Sequence, residues 1–224
     1  MKGDWVMNFL QNDTFLTKIL SRLIDCILLS ILWFLTSIPV VTIGASTTAA
    51  YSVALELAFG EHPAIVSGYF ASFKKNFFRS TAVFFVLTAI GLFIGLDFWS
   101  VLHWETPFQF ALEVLILSVG FLYLILAAHA FPALAFYEGR PVRILKIVFF
   151  RSLGKGIYTV FVTVLSIFPL LFLARRVADS SFGQWLMLFL LAGNGLICYF
   201  NSLHLARLFD PERTKSTGED SSEV

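Results

Sequence analysis

Charge is scarce in this chain. Of its 224 residues, 16 are Lys or Arg and 15 are Asp or Glu, so 14% are charged, against about 25% in ordinary soluble domains. The net charge of +1 leaves no basic excess for a nucleic-acid partner. Cysteine is nearly absent: Cys26 and Cys198 both sit in apolar runs, and no Cys/His set has metal-ligand spacing, so the two read as small buried apolar residues. Enzyme signatures are missing as well. There is no Gly-x-Ser-x-Gly, no His-Glu-x-x-His and no Gly-rich phosphate loop with Lys. The chain therefore reads as non-catalytic, with no cofactor, and as unable to power transport by itself.

Apolar residues fill the space. They make up 58% of the chain, with 26 Phe and 5 Trp, and the mean hydropathy is +0.81. A bilayer core takes about 20 apolar residues per helix, and six runs qualify: 19–38, 40–59, 80–101, 108–131, 157–174 and 185–205. The expected fold is all-α, a polytopic transmembrane bundle over 1–208. Residues 209–224 (LFDPERTKSTGEDSSEV from Leu208 onward) lack apolar periodicity and read as a disordered tail. Residues 1–18 read as an amphipathic lead-in, and no cleavable leader is expected, because the first apolar run is too long for one.

The second run carries Glu56 and reads as either a span or a re-entrant piece. Six spans with both ends inside put Lys2, Lys18, Arg22, Lys74, Lys75, Arg79, Arg140, Arg143, Lys146, Arg151, Lys155, Arg207, Arg213 and Lys215 on the cytoplasmic side. Only Arg175 and Arg176 then lie outside, which is the bias that sets orientation. Were run two alone not to cross, the Lys74/Lys75/Arg79 cluster and the N-terminal positives would fall on opposite faces. Six spans are therefore expected.

The two longer inner loops resemble each other. AFGEHPAIVSGYFASFKKNFFRS and AFYEGRPVRILKIVFFRSLGKG pair Ala58 with Ala135, Phe59 with Phe136, Glu61 with Glu138 and Pro63 with Pro141 across a one-residue gap. Duplication and convergence on a common turn both account for this. Pro63 and Pro141 suit the first turn of a helix, and each loop is expected to form an amphipathic helix on the cytoplasmic surface. Phe70, Phe73, Lys74, Lys75, Arg143 and Lys146 are the residues such helices offer, either to anionic headgroups or to a docking partner.

The stretch 37–50, SIPVVTIGASTTAA, is the most informative. Pro39 breaks the first run, and small hydroxylated residues follow. One reading is a tight outer turn leading into a helix buried in the bundle. The other is a broken-helix solute site built from Pro39, Thr42, Gly44, Ser46 and Thr47, with Asn194 and Asn201 from the last run. Among intramembrane polar residues, Asp25 lies one turn from Arg22 and reads as its ion-pair partner. Glu56, His129 and His204 form no recognisable set in sequence.

The residues 28–51, LLSILWFLTSIPVVTIGASTTAAY, resemble the signature of the YesL family, small bacterial membrane proteins of unknown function. The likeness rests on Leu32-Trp33, Pro39, Thr42-Ile43-Gly44 and Thr48-Ala49-Ala50-Tyr51. Tyr69-Phe70, Phe73-Lys74 and Asn76-Phe77 add to it. This chain has Ser30 where the family pattern leads one to expect Asn. The resemblance implies a bacterial cytoplasmic-membrane protein, and association with carbohydrate uptake of the ATP-binding-cassette type. Transporter or ATPase subunits are then the expected partners, besides the bilayer. An independent transporter or channel for a small solute is the alternative, and a membrane enzyme has the least support.

Overall fold

The computed structural model describes residues 15–101, 103, 108–154, 159–160, 162–166, 183–184, 189, 193–203 and 205–206, with backbone only at 15–19 and 151–153. Five helices run α1 (Phe15–Ser37), α2 (Ile43–Ala58), α3 (Ile65–Val101), α4 (Gln109–Phe136) and α5 (Pro141–Gly154), with a 3-10 turn at Val40–Thr42 between α1 and α2. Residues 194–203 form a further helical stretch, and there is no strand among the described residues. Among the described residues, four segments are long and apolar enough to cross a membrane: Leu20–Ser37, Val40–Ala58, Ile65–Val101 and Gln109–Phe136. The expected span 157–174 lies mostly, and 185–205 partly, outside the described residues, and residues 1–14, His204 and the tail lie outside them.

Helix α2 is the centre of the bundle, packed on α1, α3 and α4. Its sequence explains the placement. Small side chains let neighbouring backbones approach, and Gly44, Ala45, Ser46, Thr48, Ala49, Ala50 and Ala54 are all buried. The expectation of a helix sunk in the bundle holds. Outer faces are the reverse of a soluble protein's: Leu92, Phe93, Leu96 and Phe110 are each more than 60% exposed, which only an apolar surrounding accommodates.

Residues 65–79 do not form a separate surface helix. They are the first part of α3, which is 37 residues long, about 55 Å at 1.5 Å per residue. The buried positions of α3 up to Leu87 are Ile65, Tyr69, Ser72, Asn76, Ser80, Val83 and Leu87, spaced by 3 or 4, the period of one helix face. That face passes through the basic cluster unbroken. Lys74 and Lys75 interrupt hydropathy but lie on the other side, so they do not interrupt the helix. Pro63 accordingly precedes α3 by two residues, whereas Pro141 does open α5.

The helices pack in two registers along α3. Helix α2 runs antiparallel to its first half. Val53 faces Gly68, and Thr48 and Gly44 face Ser80. Helix α4 runs antiparallel to the second half: Leu134 meets Arg79, Tyr123 meets Leu87 and Gly91, and Gly120 meets Ile94. One core cluster joins Leu29, Leu32, Ala49, Ala50, Val53, Tyr69 and Cys198. A second joins Val83, Leu87, Ala130, Ala133, Leu134, Ile144 and Val148. The stretch 194–203 runs in the same sense as α2, since Gly195 meets α1 at Cys26 and Ser30, Asn201 meets Tyr51, and Leu205 packs on Leu55.

The two similar inner turns are built alike. Each reverses at a glycine of positive φ, Gly60 (+84°) and Gly139 (+123°), and the rings of Phe59 and Phe136 meet with centroids 6.3 Å apart. The expected Arg22–Asp25 pair does not form. Arg22 instead donates to the Glu61 carbonyl at 3.4 Å, across to the α2–α3 turn.

Candidate functional site

Pro39 cannot donate a backbone bond, so α1 ends at Ser37 and the chain reverses through the 3-10 turn. Hydroxyls then tie the reversal together. Thr42 Oγ1 lies 2.5 Å from Thr36 O and 2.6 Å from Pro39 O, and the Thr42 N–H donates to Pro39 O at 2.9 Å. Ser46 Oγ donates to Thr42 O at 2.9 Å, and Thr47 Oγ1 to Ile43 O at 2.7 Å. Trp33 Nε1 donates to Thr47 Oγ1 at 3.1 Å. Tyr69, fully buried, stands between the helices, its hydroxyl 2.6 Å from Thr36 Oγ1 and 3.3 Å from Ser46 O. Gly44 allows a close backbone approach: an added Cβ would lie 2.5 Å from Ser80 O and 2.7 Å from Phe84 Cβ.

Pro39, Thr42, Gly44, Ser46 and Thr47 thus converge on one helix junction. Each hydroxyl among them spends its single proton on a carbonyl of the chain, which leaves the junction a tie between helices. Asn194 and Asn201 are not brought to it. Asn201 Nδ2 donates to Tyr51 OH and Ser166 Oγ, both at 3.0 Å, about 13 Å down α2 from Thr42 at 1.5 Å per residue. Asn201 Oδ1, Ser202 Oγ and Asn194 Nδ2 are buried without a hydrogen-bond partner among the described residues. Exchanging the oxygen and nitrogen of the Asn201 amide only moves the unsatisfied end from acceptor to donor.

Ser30, marked in the sequence only as a departure from the family pattern, is a structural residue. Its hydroxyl donates to Cys26 O at 3.0 Å and accepts the Gly195 N–H at 2.7 Å. Gly195 has no side chain to lose here, because a Cβ would run into the Cys26 carbonyl. The bland signal was a lone Ser in an apolar run, and nothing local marks its partner 165 residues away. Cys26 and Cys198 are both free and buried, as expected of small apolar residues. No group of His, Cys, Asp and Glu among the described residues could hold a metal ion, and His129 Nδ1 bonds within its own helix, 2.9 Å from Ile125 O.

The candidate docking residues divide. Phe70, Lys74 and Lys75 are exposed on α3, and Arg143 and Lys146 on α5. Phe73 turns inward, stacked on Tyr69 with centroids 6.4 Å apart and edge-on to Phe77 at 5.5 Å. Val142, Ile147 and Phe150 are exposed beside Arg143 and Lys146, so the free face of α5 mixes apolar and basic groups. Lys75 forms an ion pair with Glu138 in the α4–α5 turn. This hydrogen-bonded pairing, with Arg79 nearby, holds the exposed Glu138 carboxyl below its ordinary value. Arg79 is the stronger tie. It donates to Leu134 O at 2.5 Å, Tyr137 O at 3.2 Å, Gly139 O at 3.3 Å and Asn76 Oδ1 at 2.6 Å. The Leu134 carbonyl lies in the last turn of α4, where carbonyls lack helical partners, Tyr137 is the C-cap and Gly139 lies in the turn beyond, and a cation suits the negative end of the helix dipole.

A family model described as a protein of unknown function, DUF624, matches residues 26–98. That interval holds most of α1, the turn, α2 and nearly all of α3, the part of the molecule organised by the Pro39 junction. No curated protein and no solved structure matches the chain.

Proposed function

We propose that the chain is a YesL-like, non-catalytic component of the bacterial cytoplasmic membrane that works with a carbohydrate uptake system of the ATP-binding-cassette type. Both termini face the cytoplasm. The observation that carries this reading is the exposure of Phe70 and Lys74 on α3 and of Arg143 and Lys146 on α5, α3 and the α4–α5 turn being held together by the Arg79 and Lys75 ties. Aromatic and Arg side chains on a rigid surface are the composition of protein interfaces. A transporter or ATPase subunit docks there from the cytoplasmic side. The test is purification at native expression in mild detergent. Uptake subunits co-purify with the wild-type chain and are lost from a Lys74→Glu/Arg143→Glu/Lys146→Glu variant that elutes and melts like wild type. Recovery of the protein alone in several detergents refutes the proposal.

A second reading, an independent transporter of a small polar solute, is favoured by Asn201 Oδ1 and Ser202 Oγ, which have no hydrogen-bond partner among the described residues. It requires flux of a polyol or monosaccharide into proteoliposomes holding the purified chain alone, abolished in Asn201→Leu. Absence of flux removes it.

A further inference from the structure

We infer that the α1–α2 hairpin is re-entrant: its tip, residues 38–41, ends among lipid acyl chains and does not emerge on the far side of the membrane. Three observations converge on this.

The first is depth. Gly44, just past the tip, packs on Ser80 and Phe84 of α3, whereas α3 continues to Val101 before it turns. The tip lies about one turn beyond Gly44 and so stops about 20–25 Å short of the α3–α4 turn, at 1.5 Å per residue. That is most of the thickness of a bilayer core, about 30 Å. The two hairpins cannot both reach the same aqueous face.

The second is chemistry. Ile38, Val40 and Val41 are 67%, 65% and 49% exposed, and no charged residue or His occurs between Asp25 and Glu56. The α3–α4 turn differs: Asp97 lies near the end of α3, and Trp99 is tilted against His103 in the turn, the mixture found at a membrane–water boundary.

The third is the accounting of backbone groups. Non-helical backbone at membrane depth persists only where its polar groups are satisfied from within the protein. Thr42 meets part of that condition: its hydroxyl bonds Thr36 O and Pro39 O, and its N–H donates to Pro39 O.

The basic-residue distribution is indifferent to the choice. A hairpin that crosses twice and one that enters and returns deliver Lys74, Lys75 and Arg79 to the same side. The charge bias excludes only the case in which one arm crosses alone.

Single cysteines at Ile38→Cys, Val41→Cys and His103→Cys, in the full chain with the buried Cys26 and Cys198 as background, test the inference. A membrane-impermeant maleimide is applied to intact cells and to inverted vesicles. The His103→Cys site labels from one side. The two tip sites label from neither side until the membranes are dissolved in SDS, because a thiol in apolar surroundings stays protonated and unreactive. Labelling of either tip site from the His103 side shows a crossing, and from the opposite side shows a tip in cytoplasmic water; each result overturns the inference. A spin label at Val41 gives an independent reading. Its relaxation responds to oxygen and not to a water-soluble nickel chelate, and the reverse also overturns it.

Discussion

Gly195 shows how much of this bundle depends on atoms that are absent. Its backbone lies against the Cys26 carbonyl and is held there by Ser30 Oγ. A Gly195→Val side chain has nowhere to go except by separating the stretch 194–203 from α1. Overpacking of this kind costs about 1–3 kcal/mol, and the lost Ser30 bond adds about 1 kcal/mol. The expected outcome is a lowered Tm in detergent for Gly195→Val and a smaller drop for Ser30→Ala, measured by static light scattering or thiol-reactive dye unfolding. An unchanged Tm for Gly195→Val contradicts the packing. At this scale the sequence was partly legible. Pro39 and the run of small residues announced a turn and a buried helix, since both effects are local. Ser30 was not legible, because its importance lies in a partner on the other end of the chain.

At the scale of elements, α3 is the spine and the α4–α5 turn is fastened to it by charge. Lys75 and Glu138 are both largely exposed, so the pair adds little by itself, but its pH response has a definite sign. Glu138 is held below its ordinary value of 4.5 by the hydrogen bond and charge of Lys75. A depressed carboxylate stabilises the fold above its unfolded value, and that contribution is lost as pH falls through the lower, folded one. The Tm gap between wild type and Glu138→Gln is therefore present at neutral pH, narrows only below 4.5, and shrinks in high salt. A gap that closes near pH 7 contradicts the pairing. The sequence misplaced the start of α3 for a related reason. Mean hydropathy drops at Lys74, Lys75 and Arg79, so a hydropathy run stops there although the helix does not. The buried face at Ile65, Tyr69, Ser72, Asn76 and Ser80 obeys helical period instead, and period survives charges placed on the opposite side.

For the whole molecule, orientation is the property on which the proposed function depends. Cytoplasmic docking at Lys74, Arg143 and Lys146 requires that the α2–α3 and α4–α5 turns face inward and the α3–α4 turn outward. Alkaline phosphatase fused after His103 is expected to be active, and fused after Gly139 inactive, with the opposite pattern for a cytoplasmic reporter. Reversal of the two sites removes the docking reading while leaving the packing untouched.

Composition alone determined that this is a membrane-embedded helical protein, because burying so few charges and so many aromatics in a water-facing globule of this size is not possible. Pattern determined where four of the helices lie, because helical period and proline breaks are properties of neighbouring residues. The tertiary structure decided the rest. It showed that the Thr/Ser junction closes on its own carbonyls, that Asn201 belongs with Tyr51 and Ser166, and that α1–α2 and α4 occupy different lengths of α3. Depth of that kind is a distance between helices, set by which small residues meet, as Gly44 meets Ser80. A hydropathy run records only that a segment is apolar, and carries no information about the level at which it stops.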